Sequence, residues 1–207
     1  ERYDWITFLP IADGSGHYNR YFGRLADGNV KVRGIALRRG DTPEYLRRMQ
    51  GEMLDVLARA RSPGDLPPLE EEARGIRDRY LAGLAAADPG ELVIRRRISR
   101  LRYAHRCLEA SAAEAYRRNG ISIAPGMEIG YVVRDARRWA VDVADGATTA
   151  DLAYYRLLLE KAWEEIAFVF RAAGKADPAP VQVPLPAGRR EPIRCRSGGG
   201  GSAPDFG

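Results

Sequence analysis

Three short stretches near the start of the chain interleave aromatic and cationic side chains: Tyr18-Asn19-Arg20-Tyr21-Phe22-Gly23, Lys31-Val32-Arg33-Gly34 and Arg38-Arg39-Gly40-Asp41. Guanidinium groups take phosphate oxygens through planar, multidentate hydrogen bonds, and Asn and Tyr add neutral donors. This is the chemistry of a grip on a nucleic-acid backbone. A second run, Arg95 to Arg106, holds six Arg and no acid, with Arg100 and Arg102 beside Tyr103. Glu70-Glu71-Glu72 put negative charge elsewhere, so the basic clusters define a directed electrostatic face.

The net charge is +5, and all the basic residues except Lys31, Lys161 and Lys175 are Arg. A GC-rich genome's choice of Arg codons accounts for the number as well as a polyanion partner does, so location is the better argument. Other chemistries find little support. No nucleophile motif, P-loop or dinucleotide fingerprint is present, and Gly14-Ser15-Gly16 lacks the third glycine and the strand-to-helix context of a cofactor turn. Asp142 and Asp145 are neighbouring carboxylates, but with Gly146 following, the segment reads as a solvated loop. Cys107 and Cys195 are far apart and His17 and His105 have no partners at ligand spacing, which argues against a disulfide framework or a zinc site and sets a reducing cytoplasm as the default.

The elements that must position these residues follow from periodicity. Trp5–Ile11, Asn19–Leu25 and Val30–Leu37 read as three strands, with turns at Asp13–Gly16 and Asp27-Gly28. This meander lacks a covering helix and is expected to finish a sheet supplied by something else. Asp41 or Thr42 caps a helix with Pro43 in its first turn and Leu46, Met49, Met53 and Leu57 along one side. A second helix runs from Pro67-Pro68 through Ala73, Ile76, Tyr80 and Leu84 to a stop at Asp88-Pro89-Gly90. The spacing predicts a third helix over Leu108–Arg118, a strand over Met127–Val133 and a long helix over Thr148–Ala173. From Ala176 the chain is rich in Pro and Gly without periodicity and reads as a disordered tail. No apolar run approaches the ~20 residues of a membrane span. The first residues run almost directly into strand-like sequence, as if the chain began in the middle of a larger fold.

Taken in order, these stretches resemble the junction of palm and thumb in archaeal family B DNA polymerases. Arg20-Tyr21 match the end of that family's K-K-R-Y motif, and Arg33-Gly34 the start of its R-G-x-E-x-x-R-R-D corner. Asp41 then opens a helix bearing Gln50 at the offset where many relatives have Gln. Leu92-Val93-Ile94 with Ile98-Ser99-Arg100 is similar to the thumb's L-V-I … I-T-R segment, and Tyr103 stands before Gly120 at the family's spacing. Pro125-Gly126 with Ile129-Gly130-Tyr131-Val132-Val133 resembles its P-G-x-x-I-x-Y-V-V strand, and Asp151 with Tyr154-Tyr155 the D-x-x-Y-Y that opens the last thumb helix. Each motif is weak alone; the ordered set over residues 1–174 is specific. Tyr18 and Asn19 replace the family's two lysines, which reach the minor groove near the primer end; Ala36 replaces the corner glutamate and Gly40 the second corner arginine. Asn19 can still donate to minor-groove acceptors, which every Watson–Crick pair presents.

The resemblance implies an α+β chain in three parts. Residues 1–40 form a short antiparallel meander at the end of the palm, completing a partner's palm sheet. Residues 41–174 form a mostly helical thumb with a small β element, and 175–207 a tail or linker. It implies the DNA-binding portion of a DNA-directed DNA polymerase, a nucleotidyltransferase, either as the small subunit of a split polymerase or as an excised fragment, that holds primer–template DNA while a separate large catalytic subunit carries the carboxylates. No D-T-D motif is present, so the chain alone is not expected to be catalytic. It is expected to bind no cofactor, with magnesium (Mg2+) held in the partner's site. The implied DNA contacts are Asn19, Arg20, Tyr21, Lys31 and Arg33 on the palm side, Arg38, Arg39 and Gln50 at the thumb entrance, and Arg100, Arg102 and Tyr103 farther along the duplex. A sliding clamp is a further expected partner of a replicative polymerase, although the tail holds no convincing clamp-binding peptide; the expected location is cytoplasmic, at the nucleoid, with no membrane contact. The alternatives are a stand-alone polymerase-derived nucleic-acid-binding module without a catalytic partner and a protein-interaction adaptor whose arginines only solvate its surface.

Overall fold

The computed structural model describes residues 2–10, 16–100 and 102–173. The Asp13–Gly16 turn, apart from Gly16, and the tail lie outside them. The chain is α+β, with two three-stranded antiparallel sheets and four α-helices among the described residues.

The first sheet is a meander in the order β1 (Tyr3–Pro10), β2 (Gly16–Leu25), β3 (Val30–Arg33). Gly28 takes φ +93° in the β2–β3 turn, and the Asp27 carboxylate accepts from Asn29 N at 2.9 Å, as the Asp-Gly pair predicts. β3 stops four residues short of the expected Leu37. At Gly34 φ is +67°, and the chain leaves the sheet for a single 3-10 turn at Ala36–Arg38. α1 (Glu44–Leu57) follows. Its N-cap is Pro43 with no side-chain cap, so neither Asp41 nor Thr42 caps it; Asp41 instead pairs with Arg96 at 2.6 Å.

α2 (Leu66–Gly83) leads to β4 (Ile94–Arg97), and α3 (Leu108–Arg118) ends, as the Asn-Gly pair predicts, with Gly120 at φ +74°. β5 (Glu128–Asp135) and β6 (Ala140–Val143) complete the second sheet in the order β4-β5-β6. Asp142 therefore stands on a strand rather than in a loop. α4 (Leu152–Ala173) begins later than its periodicity suggests, because Asp151 caps it: its Oδ1 accepts from Tyr154 N at 3.0 Å.

One core links the two sheets. Leu9 and Phe22 of the meander belong to the same buried cluster as Met49 and Met53 of α1, Tyr131 of β5, and Tyr155 and Ile166 of α4. The meander is thus covered on one face by helices of its own chain, contrary to the expectation of an uncovered sheet. Trp5 Nε1 donates to Ala60 O at 2.9 Å and Arg24 Nε to Ala58 O at 2.8 Å, tying the sheet to the end of α1. On the opposite face Ile6 and Phe8 are 37% and 42% exposed. Cys107 is buried and disulfide-bonded, which corrects the expectation of reduced thiols; Cys195 lies outside the described residues. Among the described residues no helix is long and apolar enough to cross a membrane.

Candidate nucleic-acid interface

Strand alternation divides the first cationic stretch between two faces of the meander. Phe8, Tyr21 and Arg33 are cross-strand neighbours in one row, and Ile6, Gly23 and Lys31 form the next. This outward face also takes Asn19 by parity. The rings of Phe8 and Tyr21 meet at 5.6 Å and 50°. Asn19 and Arg33 are exposed, and Tyr21 and Lys31 half-buried. The face therefore runs from apolar at β1 to cationic at β3.

Arg20 points the other way. Its guanidinium donates to Glu165 Oε1 of α4 at 2.7 Å, across 145 residues of sequence. Glu165 is 9% exposed, and burying a carboxylate is costly unless donors surround it. They do. Its Oε2 accepts from Ala36 N at 2.8 Å and from Gln50 Nε2 at 3.0 Å, and Arg39 Nη2 lies 4.0 Å from Oε1. Gly34 lets the chain reach this point, since a Cβ there would run into the Asn19 carbonyl and sit 3.0 Å from Arg20 Cγ. The corner that follows β3 is thereby locked to α4.

Gln50 is withdrawn from the expected DNA contacts. It is fully buried, accepts from Leu37 N at 2.6 Å, and donates to Ala162 O at 2.9 Å as well as to Glu165. Its amide is spent on seating the 3-10 turn. Arg38 is exposed and Arg39 partly so. Arg47, which the sequence did not single out, donates through Nη2 to Arg39 O at 2.9 Å. The Nε atoms of Arg39 and Arg47 are both enclosed without a hydrogen-bond partner. Arg20 and Arg39 thus gather at the Glu165 carboxylate, while Arg47 holds the Arg39 carbonyl and lies 4.0 Å from the Glu44 carboxylate.

In the Arg95–Arg106 run, Arg96 is committed to structure: it bridges Asp41 at 2.6 Å and Glu109 at 3.4 Å, joining the start of α1 to β4 and α3. Arg102 is exposed and lines a shallow depression with Arg117, Ser122 and Ile123. Arg100 is half-buried, and Tyr103 packs against the core, where burial and then Glu109 push its phenol pKa up. The D-x-x-Y-Y stretch does local work. Asp151 Oδ2 accepts from Ala136 N at 2.9 Å, Asp151 N donates to Val133 O at 2.8 Å, and the Tyr155 hydroxyl accepts from Val133 N at 2.9 Å. These bonds seat the start of α4 on β5. Glu165 is the residue sequence reasoning missed, and a signal existed: it stands between Ala162 and Val169, both buried, at helical spacing.

No family model matches the chain. Over 70 residues it is 31% identical to DNA polymerase 1 of Sulfolobus acidocaldarius, a match that takes in 34% of this chain and 7% of that protein. Among solved structures, the family B DNA polymerase from the hyperthermophilic archaeon Pyrobaculum calidifontis matches with a TM-score of 0.55 over 81% of this chain. The chain shares the fold of part of an archaeal family B DNA polymerase. Identity to that structure is 21%, so the likeness is one of fold, and the chain spans 21% of the polymerase's length. The resemblance read from the ordered motifs is borne out as a likeness of fold to part of such a polymerase and a short stretch of similar sequence.

Proposed function

We propose that this chain is the palm-end and thumb portion of a family B DNA polymerase, residues 1–40 and 41–174 respectively, and that it grips primer–template duplex. The rest of the polymerase, a separate large subunit, performs the nucleotidyl transfer. The observation that carries this reading is the corner at Glu165. Arg20 and Arg39 gather at one carboxylate with their guanidinium groups part-exposed, Arg47 holds the Arg39 carbonyl, and Arg33 and Arg38 stand exposed on the adjoining segment. Such a cluster of exposed and part-exposed guanidinium groups suits phosphate oxygens. The polarity of the outward face supports two neighbours, with exposed Ile6 and Phe8 against the large subunit and Arg33 and Lys31 toward DNA. Among the described residues no group of three or more His, Cys, Asp or Glu could hold a metal ion.

The test is duplex binding by the full chain, followed by fluorescence anisotropy over a range of salt. Phosphate contacts make log K fall with log salt by about 0.9 per contact, with little sequence preference. Arg33→Glu and Arg39→Glu should each weaken binding about tenfold or more and flatten the slope by roughly one contact. Affinity unchanged between low and high salt would refute the reading.

A further inference from the structure

Away from this corner, a second basic concavity lies between α3 and the β5–β6 hairpin. Arg106, Arg118, Arg134 and Arg138 line a cleft of about 290 Å3 together with Trp139 and one acid, Glu114. Two of the four are loosely paired: Arg134 lies 3.9 Å from Asp142, and Arg138 3.7 Å from Asp135. Exposed pairs of that length contribute little. Arg106 and Arg118 are exposed and form no ion pair with a described residue. With Asp135 and Asp142 each beside one arginine and Glu114 in the lining, four cations still outnumber the acids, which makes the cleft a site for an anionic group.

The hairpin holds that wall in place at a cost in backbone energy. Trp139 has φ 58°, the only non-glycine positive φ among the described residues. That conformation costs a bulky residue about 1–2 kcal/mol, which Gly would avoid. The strain persists because the turn is pinned from both sides. Arg138 N donates to Asp135 Oδ1 at 3.0 Å, and Ala136 N to Asp151 Oδ2 at 2.9 Å at the start of α4. The half-buried indole packs partly on the core and also lines the cleft, so an aromatic wall stands among the guanidiniums. Cations along a groove combined with an aromatic side chain are the means by which proteins hold a nucleic-acid strand without reading its sequence.

We infer that this cleft binds the phosphodiester backbone of a single nucleic-acid strand, with phosphates on Arg106 and Arg118 and the strand lying against Trp139. The inference rests on the reading of the chain as a nucleic-acid-binding protein and adds a site that shares no residue with the corner at Glu165. The probe is a short oligothymidylate titrated into the full chain, read by tryptophan fluorescence and anisotropy over a range of salt. Arg106→Gln with Arg118→Gln should lower affinity about tenfold and flatten the salt slope by roughly 1.4, at about 0.7 per single-strand contact. Quenching should disappear in Trp139→Phe, whereas Arg33→Gln with Arg39→Gln should leave its amplitude intact. If wild-type chain binds duplex while the Arg106/Arg118 variant keeps its oligothymidylate affinity and slope, the cleft is wrong and the corner stands. Equal quenching by inorganic phosphate would reduce the cleft to a simple anion site and overturn the strand. Binding to neither DNA would overturn both readings.

Discussion

Replacing Glu165 by Ala should destabilise the chain by roughly 3–5 kcal/mol, the range for removing one partner of a buried charge network. The sum can be worked from its partners. Ala36 N–H loses its acceptor where no water reaches it, at about 1–3 kcal/mol, and Gln50 Nε2 loses one of two acceptors for about 1 more. The Arg20 side chain is 35% exposed and regains water, so its ion pair adds little. The vacated carboxylate leaves a small cavity, which accounts for the remainder. Glu165→Gln keeps one oxygen but turns an NH2 toward one of the donors, and should lose about half as much. Equilibrium urea unfolding of the full chain measures both, with an unchanged m-value showing that stability alone has moved. Against a total of about 5–15 kcal/mol, such a loss is plain. A loss below about 1 kcal/mol for Glu165→Ala would refute the idea that this carboxylate locks the corner.

Other expectations test separate parts of the structure. Gly34→Ala combines a left-handed φ with a collision against the Asn19 carbonyl and should cost at least about 2 kcal/mol in the same unfolding assay, whereas Gly40→Ala, with open space around it, should be nearly neutral. Tyr155→Phe strands the buried Val133 N–H and should cost about 1–3 kcal/mol; amide exchange at Val133 should quicken, and unaltered exchange would count against the bond. Burial, then the bond to Glu52, pushes the Tyr80 phenol up to about 12 from 10.0, and burial also raises Tyr131 and Tyr155. A raised pKa means the folded state favours the protonated phenol, so this stability is intact below pH 10 and is lost as pH climbs from there through 12; Tyr80→Phe should make the unfolding midpoint fall less between pH 9 and 11.5. Primer extension by the complex captured on this chain should require magnesium and be absent from the chain alone; no extension, with DNA still retained, would favour the stand-alone binding module.

The helices were legible because their apolar residues repeat at 3.6 and their ends carry punctuation. α3 falls on Leu108–Arg118 as expected, since Asn119-Gly120 marks its end within the local sequence. β6 was not legible, because four residues with one buried side chain leave no periodicity to read, and Asp142 with Gly146 suggested a loop. The cap of α1 misled for a related reason. Asp41 has the right chemistry and position to cap a helix, but a guanidinium from β4 offers its carboxylate a full charge.

Composition and local order by themselves determined that this chain is α+β, where its hairpin turns, which stretches are basic, and which family its motifs resemble. Those properties depend on neighbours within a few residues along the chain. Only the tertiary structure decided which cations point outward. Arg20 and Arg33 look alike in sequence, yet strand parity and the docking of α4 send one to Glu165, 145 residues away, and the other to the surface. Gln50 looked like a backbone contact until packing enclosed it completely. The physical reason is that a polar side chain's role is set by which donors, acceptors and solvent surround it, and packing brings those groups together from distant parts of the chain.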